Sequence, residues 1–385
     1  MEKVASMKIM YITDTLALWG GIERVLSCKA NELAEQYGYH VCFVTANQGS
    51  HPLLFRMAEG VHHVDLTIGF HRQYEYGIFK RIVFMHRMKR LFKIRLRKEI
   101  ERFQPDVVVL ITLKYASVVC KVVGDIPLIY ESHSSFNSDV YDHASKLSLM
   151  NTSFNRSCLK RANGIVALTE MDAKNWQSIN SRCFVIPNIV QLNDTGTYSD
   201  CHSNHAIFVG RFTHQKDIDS LLLVWEIVNR RHPDWHLEMF GEGELRAYYK
   251  EKIDRMNINI HVHQPESSIF QRYIESSMLL LTSLYEPFGL VLPEAMSCGL
   301  PVVAFDCPYG PADIITDGVD GFLIKNRDVD AFADRVCQLI ESEDLRRRMG
   351  KQGVVSSQRY RADRIMPMWN RLFQELAERA FSPKE

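Results

Sequence analysis

Residues 277–305 constrain the fold more than any other stretch. An apolar run of strand length, Ser277-Met278-Leu279-Leu280-Leu281-Thr282-Ser283, leads into Tyr285-Glu286-Pro287-Phe288-Gly289-Leu290-Val291-Leu292-Pro293-Glu294-Ala295-Met296-Ser297-Cys298-Gly299, and a second run, Pro301-Val302-Val303-Ala304-Phe305, follows. Two continuous apolar strands joined by one short helix form a unit of a buried parallel sheet. A helix tolerates proline only in its first turn, so Pro293 predicts a start near Leu290 or Val291, and Gly299 predicts a stop after Cys298.

That placement leaves Glu286 in the loop and puts Glu294 in the first turn. The amides of Phe288, Gly289, Leu290 and Val291 fall at the helix start, unpaired within the chain, where the helix dipole favours an anion. Gly289 lets a ligand come close to the backbone. Carboxylates accept hydrogen bonds from hydroxyls, so the stretch suits a ligand with both sugar hydroxyls and phosphate, as a nucleotide sugar has. The plain alternative is a loop glutamate and an exposed helix glutamate. Glu286 and Glu294 with seven residues between them, Pro-Phe-Gly inside and Ala-Met-Ser-Cys-Gly-Leu-Pro-Val-Val-Ala after, resemble the donor signature of the retaining glycosyltransferases of family 4.

A length of 385 residues is more than one core usually supports, so two domains are expected. The first seven residues lack the apolar core of a signal peptide, and no run is long enough to span a membrane, which points to the cytoplasm. Nine cysteines without a C-x-x-C pair read as reduced thiols.

Short apolar runs at 8–13, 41–45, 107–111, 128–130, 165–168 and 184–186 alternate with amphipathic stretches, and the pattern repeats at 206–209, 235–240, 258–263, 278–282, 302–305 and 322–324. Such alternation makes parallel sheets with helices on both faces. Residues 189–204 are polar and aperiodic and read as a linker between 1–188 and 205–365. The expected class is α/β, two Rossmann-like domains facing across a cleft, the GT-B architecture, with ligands in the cleft. The resemblance implies that the last helical pattern, 366–385, crosses back onto the first domain.

Gly20-Gly21 follow the first strand and precede a helix, where paired glycines expose amides to a ligand. They resemble the family's acceptor-side and phosphate-side loop; a tight turn is the alternative. The segment does not supply the G-x-G-x-x-G of a nicotinamide site. His133 follows the strand 128–130, and the resemblance gives it a contact to the transferred sugar, although loop histidines are usually only solvated. Arg211 and Lys216, five residues apart at a strand-to-helix turn, can clamp a diphosphate, one as a fork and one as a point charge. They resemble the family's second fixed element, against an ordinary basic loop. The glycines of Gly241-Glu242-Gly243 suit either an approach to the nucleotide or a plain turn. Gln264, after the strand 258–263, is where the resemblance places the nucleobase. Gly310-Pro311 and the glycines at 318 and 321 resemble the closing part of the same pattern and serve packing.

The formal charge is zero overall, but residues 1–190 hold 24 Lys and Arg against 17 Asp and Glu. The excess has one source: residues 80–98 carry nine Lys or Arg and no acid, interleaved with apolar residues. A basic amphipathic helix of this kind suits anionic lipid headgroups, with Lys89, Arg90, Lys93, Arg95 and Arg97 as the contacts. A solvated helix packed on the sheet is the competing view; nothing accompanies the charge that would read nucleic acid.

The expected protein is therefore a cytoplasmic, peripherally membrane-bound glycosyltransferase that needs no cofactor. It moves a hexose from a nucleoside diphosphate donor, UDP-linked, to a hydroxyl of a glycan or lipid-linked glycan, as in cell-surface polysaccharide biosynthesis. The resemblance implies retention at the anomeric carbon without a metal. Arg211, Lys216 and the amides at 288–291 would stabilise the leaving diphosphate, Glu294 would hold the ribose, and Glu286 and His133 would orient the sugar. The alternatives are a GT-B epimerase and a non-catalytic nucleotide-sugar-binding protein.

Overall fold

The computed structural model describes residues 6–17, 20–137, 146–266 and 268–381. The last four residues of the expected 366–385 helix thus lie outside the described residues. Seven strands form the first sheet: β1 (Lys8–Thr13), β2 (His40–Thr45), β3 (Val61–Asp65), β4 (Val107–Leu110), β5 (Leu128–Glu131), β6 (Gly164–Ala167) and β7 (Cys183–Val185). Six form the second: β8 (His205–Val209), β9 (His236–Phe240), β10 (Ile260–His263), β11 (Met278–Leu281), β12 (Val302–Phe305) and β13 (Gly321–Ile324). Every pairing is parallel, in the orders β3-β2-β1-β4-β5-β6-β7 and β10-β9-β8-β11-β12-β13. This is the GT-B arrangement of two Rossmann-like sheets.

The alternating side chains of each strand feed two cores, one per sheet face. On β1, Met10 and Ile12 join the cluster that holds Phe92 and Leu96 of the long helix Ile78–Phe103. Ile9 and Tyr11 join the opposite cluster, with Leu26 and Leu33 of the helix Gly21–Glu35. That second cluster also takes Ile365, Met366, Trp369, Leu372, Phe373 and Leu376 from the helix Ala362–Phe381, so the end of the chain lies on the first sheet. Strand β3 is the one strand that the apolar runs do not announce. It is a partly exposed edge carrying His62, His63 and Asp65.

Residues 189–204 have no helix or strand but are held to the second sheet's layer. Val190 and Leu192 are buried there, Asn193 N donates to Ser297 Oγ at 3.0 Å, and Ser199 N donates to Cys298 O at 2.8 Å. In both sheets the strand order reverses direction once, between β1 and β4 and between β8 and β11. Ligands of open parallel sheets bind where that reversal opens a crevice at the carboxyl ends of the strands.

Candidate active site

The loops after β8 and β11 flank the second reversal, and they carry the paired basic residues and the two glutamates. The helix Val291–Ser297 starts where Pro293 allows, capped by Leu290, and Gly299 ends it with φ +84°. It is seven residues long, so its free amides matter more than a long dipole. The amides of Phe288, Gly289, Leu290 and Val291 find no acceptor among the described residues. Gly289 has φ +92°, and a Cβ there would stand 3.0 Å from Glu286 Cγ, so the turn needs glycine. A Cβ on Gly310 would stand 1.9 Å from Phe288 O, which fixes the later Gly310-Pro311 turn against the same loop.

Lys216 Nζ donates to Glu286 Oε2 at 2.7 Å, and Ser283 Oγ donates to the same oxygen at 2.9 Å. Lys216 and Glu286 are both buried. The lysine reaches the glutamate because Gly210 leaves room: a Cβ on Gly210 would lie 3.2 Å from Lys216 Cε. Thr282 Oγ1 also donates to the carbonyls of Lys216 and Asp217, each at 3.1 Å, which ties the β8 loop to β11. Arg211 is exposed and makes no ion pair among the described residues.

Glu294 is buried, and its partner comes from the other sheet's layer: Arg24 Nη2 donates to Glu294 Oε1. Tyr273 OH reaches Oε2 at 3.5 Å. Burial pushes the Glu294 carboxyl above its usual range, and Arg24 opposes that. Arg24 follows Gly20-Gly21 in the helix Gly21–Glu35, and Gly21 touches the helix start across the cleft: a Cβ on Gly21 would lie 2.7 Å from Leu290 Cδ1. Glu23, beside Gly20, is buried and is pushed up by that burial, while His133 and Arg211 draw it down. His133 and Arg211 thus both lie within electrostatic reach of Glu23.

His133 is buried, with Nε2 2.9 Å from Glu131 Oε1. Its loop is anchored by Asp172, which accepts from Phe136 N at 2.7 Å and Trp176 Nε1 at 2.9 Å. Gln264 stands apart from this group. It is exposed beside the Gly241–Gly243 turn, where its amide pairs with Glu242 and with the Arg246 guanidinium at 3.2 Å. Lys89, Arg90, Lys93, Arg95 and Arg97 lie together on the long helix, far in sequence from the cleft residues, all exposed. Among the described residues no group of three His, Cys, Asp or Glu could hold a metal.

Sequence reading did not single out Glu23, Arg24, Lys29 and Glu131. Two signals were available: Lys29 sits with Val25 and Leu33 on the apolar face of its helix, and Glu131 ends an otherwise apolar strand.

Residues 19–194 match the model of Glycosyltransferase Family 4, and residues 199–354 match that of Glycosyl transferases group 1. Over 380 residues the chain is 28% identical to the amylovoran biosynthesis glycosyltransferase AmsD of Erwinia amylovora, covering 94% of this chain and 98% of the relative. S. aureus TarM, solved with fondaparinux, alpha-GlcNAc-glycerol and UDP, superposes with a TM-score of 0.76 at 16% identity, covering 96% of this chain and all of TarM. The pneumococcal O-GlcNAc transferase GtfA, solved with UDP and GlcNAc, gives a TM-score of 0.76 at 14% identity, over 97% of this chain and 99% of GtfA. At those identities the two structures speak for the fold.

Proposed function

We propose, from the premise that the chain belongs to the family 4 and group 1 glycosyltransferases and is itself a GT-B glycosyltransferase, that it transfers a hexose from a UDP-sugar to a hydroxyl of a glycan or lipid-linked glycan. The transfer retains the anomeric configuration and needs no metal. The observation that carries this reading is the set of groups at the β8/β11 reversal: a buried lysine, a nearby arginine and four amides without acceptors. Together they are a binding surface for a departing diphosphate. UDP as the nucleotide is supported by its presence in the TarM and GtfA complexes, and a cell-surface polysaccharide as the product by the name of the amylovoran relative.

In this reading residues 205–365 bind the donor and residues 1–188 the acceptor. Arg211, Lys216 and the amides of Phe288 to Val291 take up the diphosphate charge as the glycosidic bond breaks. Glu294 accepts the ribose hydroxyls in place of Arg24, and Glu286 and His133 hold the sugar. Gly20 and Gly21 line the acceptor and phosphate side, and Gln264 lies at the nucleobase end. The acceptor hydroxyl attacks from the face the diphosphate leaves.

The long helix serves as the membrane contact. Phe79, Ile82, Val83, Arg90, Lys93, Ile94 and Arg97, spaced by three, four or seven residues, fall on one side of it. Phe79 is 86% and Val83 70% exposed, which sets apolar groups among the cations, as an anionic lipid surface requires. Arg95 contributes least, since its guanidinium donates to Leu66 O and Thr67 O. Among the described residues no helix is long and apolar enough to cross a membrane, so attachment would be peripheral, at the cytoplasmic face.

Initial rates with a panel of UDP-sugars, glycan acceptors and EDTA test the proposal, with the product anomer read by NMR. Transfer with retained configuration in EDTA is expected. A strict manganese requirement, an inverted product, or an isomerised UDP-sugar formed without acceptor would each count against it.

A further inference from the structure

Under the cleft lies a buried ion pair that the transfer scheme does not use. Lys29 projects from the core face of the helix Gly21–Glu35 with its side chain 1% exposed, and its ammonium donates to both carboxylate oxygens of Glu131, at the end of β5 and 2% exposed. Two rings wall the ammonium: Trp369 of the C-terminal helix, centroid 3.9 Å away, and Tyr11 of β1, at 5.1 Å. Glu131 in turn faces His133, whose Nε2 lies 2.9 Å from Oε1 along a line too bent for a full hydrogen bond. Burial pushes Glu131 up, yet the Lys29 ammonium overcomes it and holds the carboxyl well below its usual range. A buried ion pair is seldom more stable than an apolar pair of the same size. Stability therefore gives no reason for this one.

We propose that Glu131 and Lys29 are positioning residues that fix the tautomer of His133, so that Nδ1 presents a lone pair to a sugar hydroxyl. The inference rests on the reading that His133 touches the transferred sugar. Lysine only donates, and a carboxylate only accepts. With Lys29 held on Glu131, the carboxylate turns only negative charge toward Nε2 at 2.9 Å, and even off the line of a full hydrogen bond that charge favours a hydrogen on Nε2 over a lone pair there. Nδ1 then carries the free lone pair, and it makes no hydrogen bond among the described residues. A hydroxyl of the sugar can donate to it. Trp369 keeps water from the ammonium, which ties the end of the chain to the geometry of the cleft.

Glu131→Gln is the informative variant. Lys29 donates to both oxygens of Glu131, so the glutamine can serve it with its one oxygen only from the Oε2 side; the NH2 group then takes the Oε1 position beside His133 Nε2, where it can only donate, and this favours the ring hydrogen on Nδ1. His133 then shows the sugar a donor where it showed an acceptor. Wrong-tautomer substitutions cost orders of magnitude in turnover, so kcat should fall about 100-fold or more while the donor KM stays within about twofold. The 15N spectrum of histidine-labelled protein, assigned by difference from His133→Ala, should change from the Nε2–H to the Nδ1–H form. A folded Glu131→Gln with wild-type kcat, or with the hydrogen still on Nε2, overturns the proposal.

Should that variant not fold, Lys29→Met/Glu131→Leu replaces the pair by apolar side chains and leaves the tautomer unfixed, so it should fold with a smaller loss of kcat and with both ring forms in its 15N spectrum; wild-type kcat with the Nε2–H form alone overturns the proposal too. His133→Ala separates this inference from the reading beneath it. Undiminished turnover in His133→Ala removes the histidine from the sugar and refutes both. A loss of turnover in His133→Ala combined with an unchanged tautomer in Glu131→Gln refutes the positioning alone.

Discussion

Replacing Lys216 by alanine removes one cation from the proposed diphosphate site and leaves the Glu286 side chain, 10% exposed, with Ser283 as its remaining hydrogen-bond donor. Two costs follow, and they can be separated. Removing one side of a buried pair costs ~3–5 kcal/mol, but Ser283 still donates and the carboxylate keeps some solvent, so about 2 kcal/mol of folding stability is expected. A charge-assisted hydrogen bond to the leaving diphosphate is worth ~1.5–3 kcal/mol, which is roughly a 10- to 150-fold loss in kcat/KM. Adding Glu286→Gln discharges the stranded carboxylate but cannot return the cation. Lys216→Ala/Glu286→Gln should therefore unfold in urea near the wild-type midpoint while transferring sugar at least ~10-fold more slowly than Glu286→Gln alone. Denaturation curves and initial rates from a UDP-sugar measure the two quantities. Wild-type turnover in Lys216→Ala, or turnover recovered together with stability in the double variant, would refute the clamp.

Three further outcomes are expected. Gly289→Ala places a Cβ at φ +92° and 3.0 Å from Glu286 Cγ, so it should destabilise by about 1–3 kcal/mol and lower kcat by displacing Glu286; unchanged urea midpoint and rate would contradict the turn's role. Burial pushes Asp172 up to about 6, against the Phe136 amide, Trp176, Ser132 and Arg156. A raised folded value favours the protonated native state, so its contribution is fully present below about 3.9 and is lost as pH rises through about 6, up to about 3 kcal/mol. Asp172→Asn should remove that slope, and equal urea midpoints for variant and wild type at both pH 4 and pH 7 would contradict it. Replacing Lys89, Arg90, Lys93 and Arg97 by glutamine should release the protein from anionic liposomes, whereas Arg95→Gln alone should release little; retention by the fourfold variant in a flotation assay would contradict the membrane face.

The sheets were legible because parallel strands are buried on both faces and spell continuous apolar runs. Most of the thirteen strands announce themselves in that way; β9 and the edge strand β10 set Glu238, His261 and His263 among their apolar residues, and β3 sits at an edge where His62, His63 and Asp65 are tolerated. The helix after β11 was legible from chemistry confined to a few neighbours, Pro293 inside and Gly299 beyond. The same locality lets the sequence alone put the amides at 288–291 at a helix start.

What the sequence does not display is the pairing of charges between segments. Arg24 and Glu294 meet although 270 positions separate them, and Lys29 meets Glu131 across 102. Propensity and periodicity describe what a segment does with its own neighbours; they say nothing about which buried charge another segment will bring. A charged residue on an apolar face still carries a readable demand, since leaving it unpaired costs several kcal/mol. Lys29 and Glu131 each announce that a partner exists and withhold its name. The fold supplies it, because β1, β4 and β5 are neighbours and the helix after β1 lies across them. Topology thus turns two unexplained local anomalies into one pair, and the position of that pair beneath His133 relates it to the chemistry of the cleft.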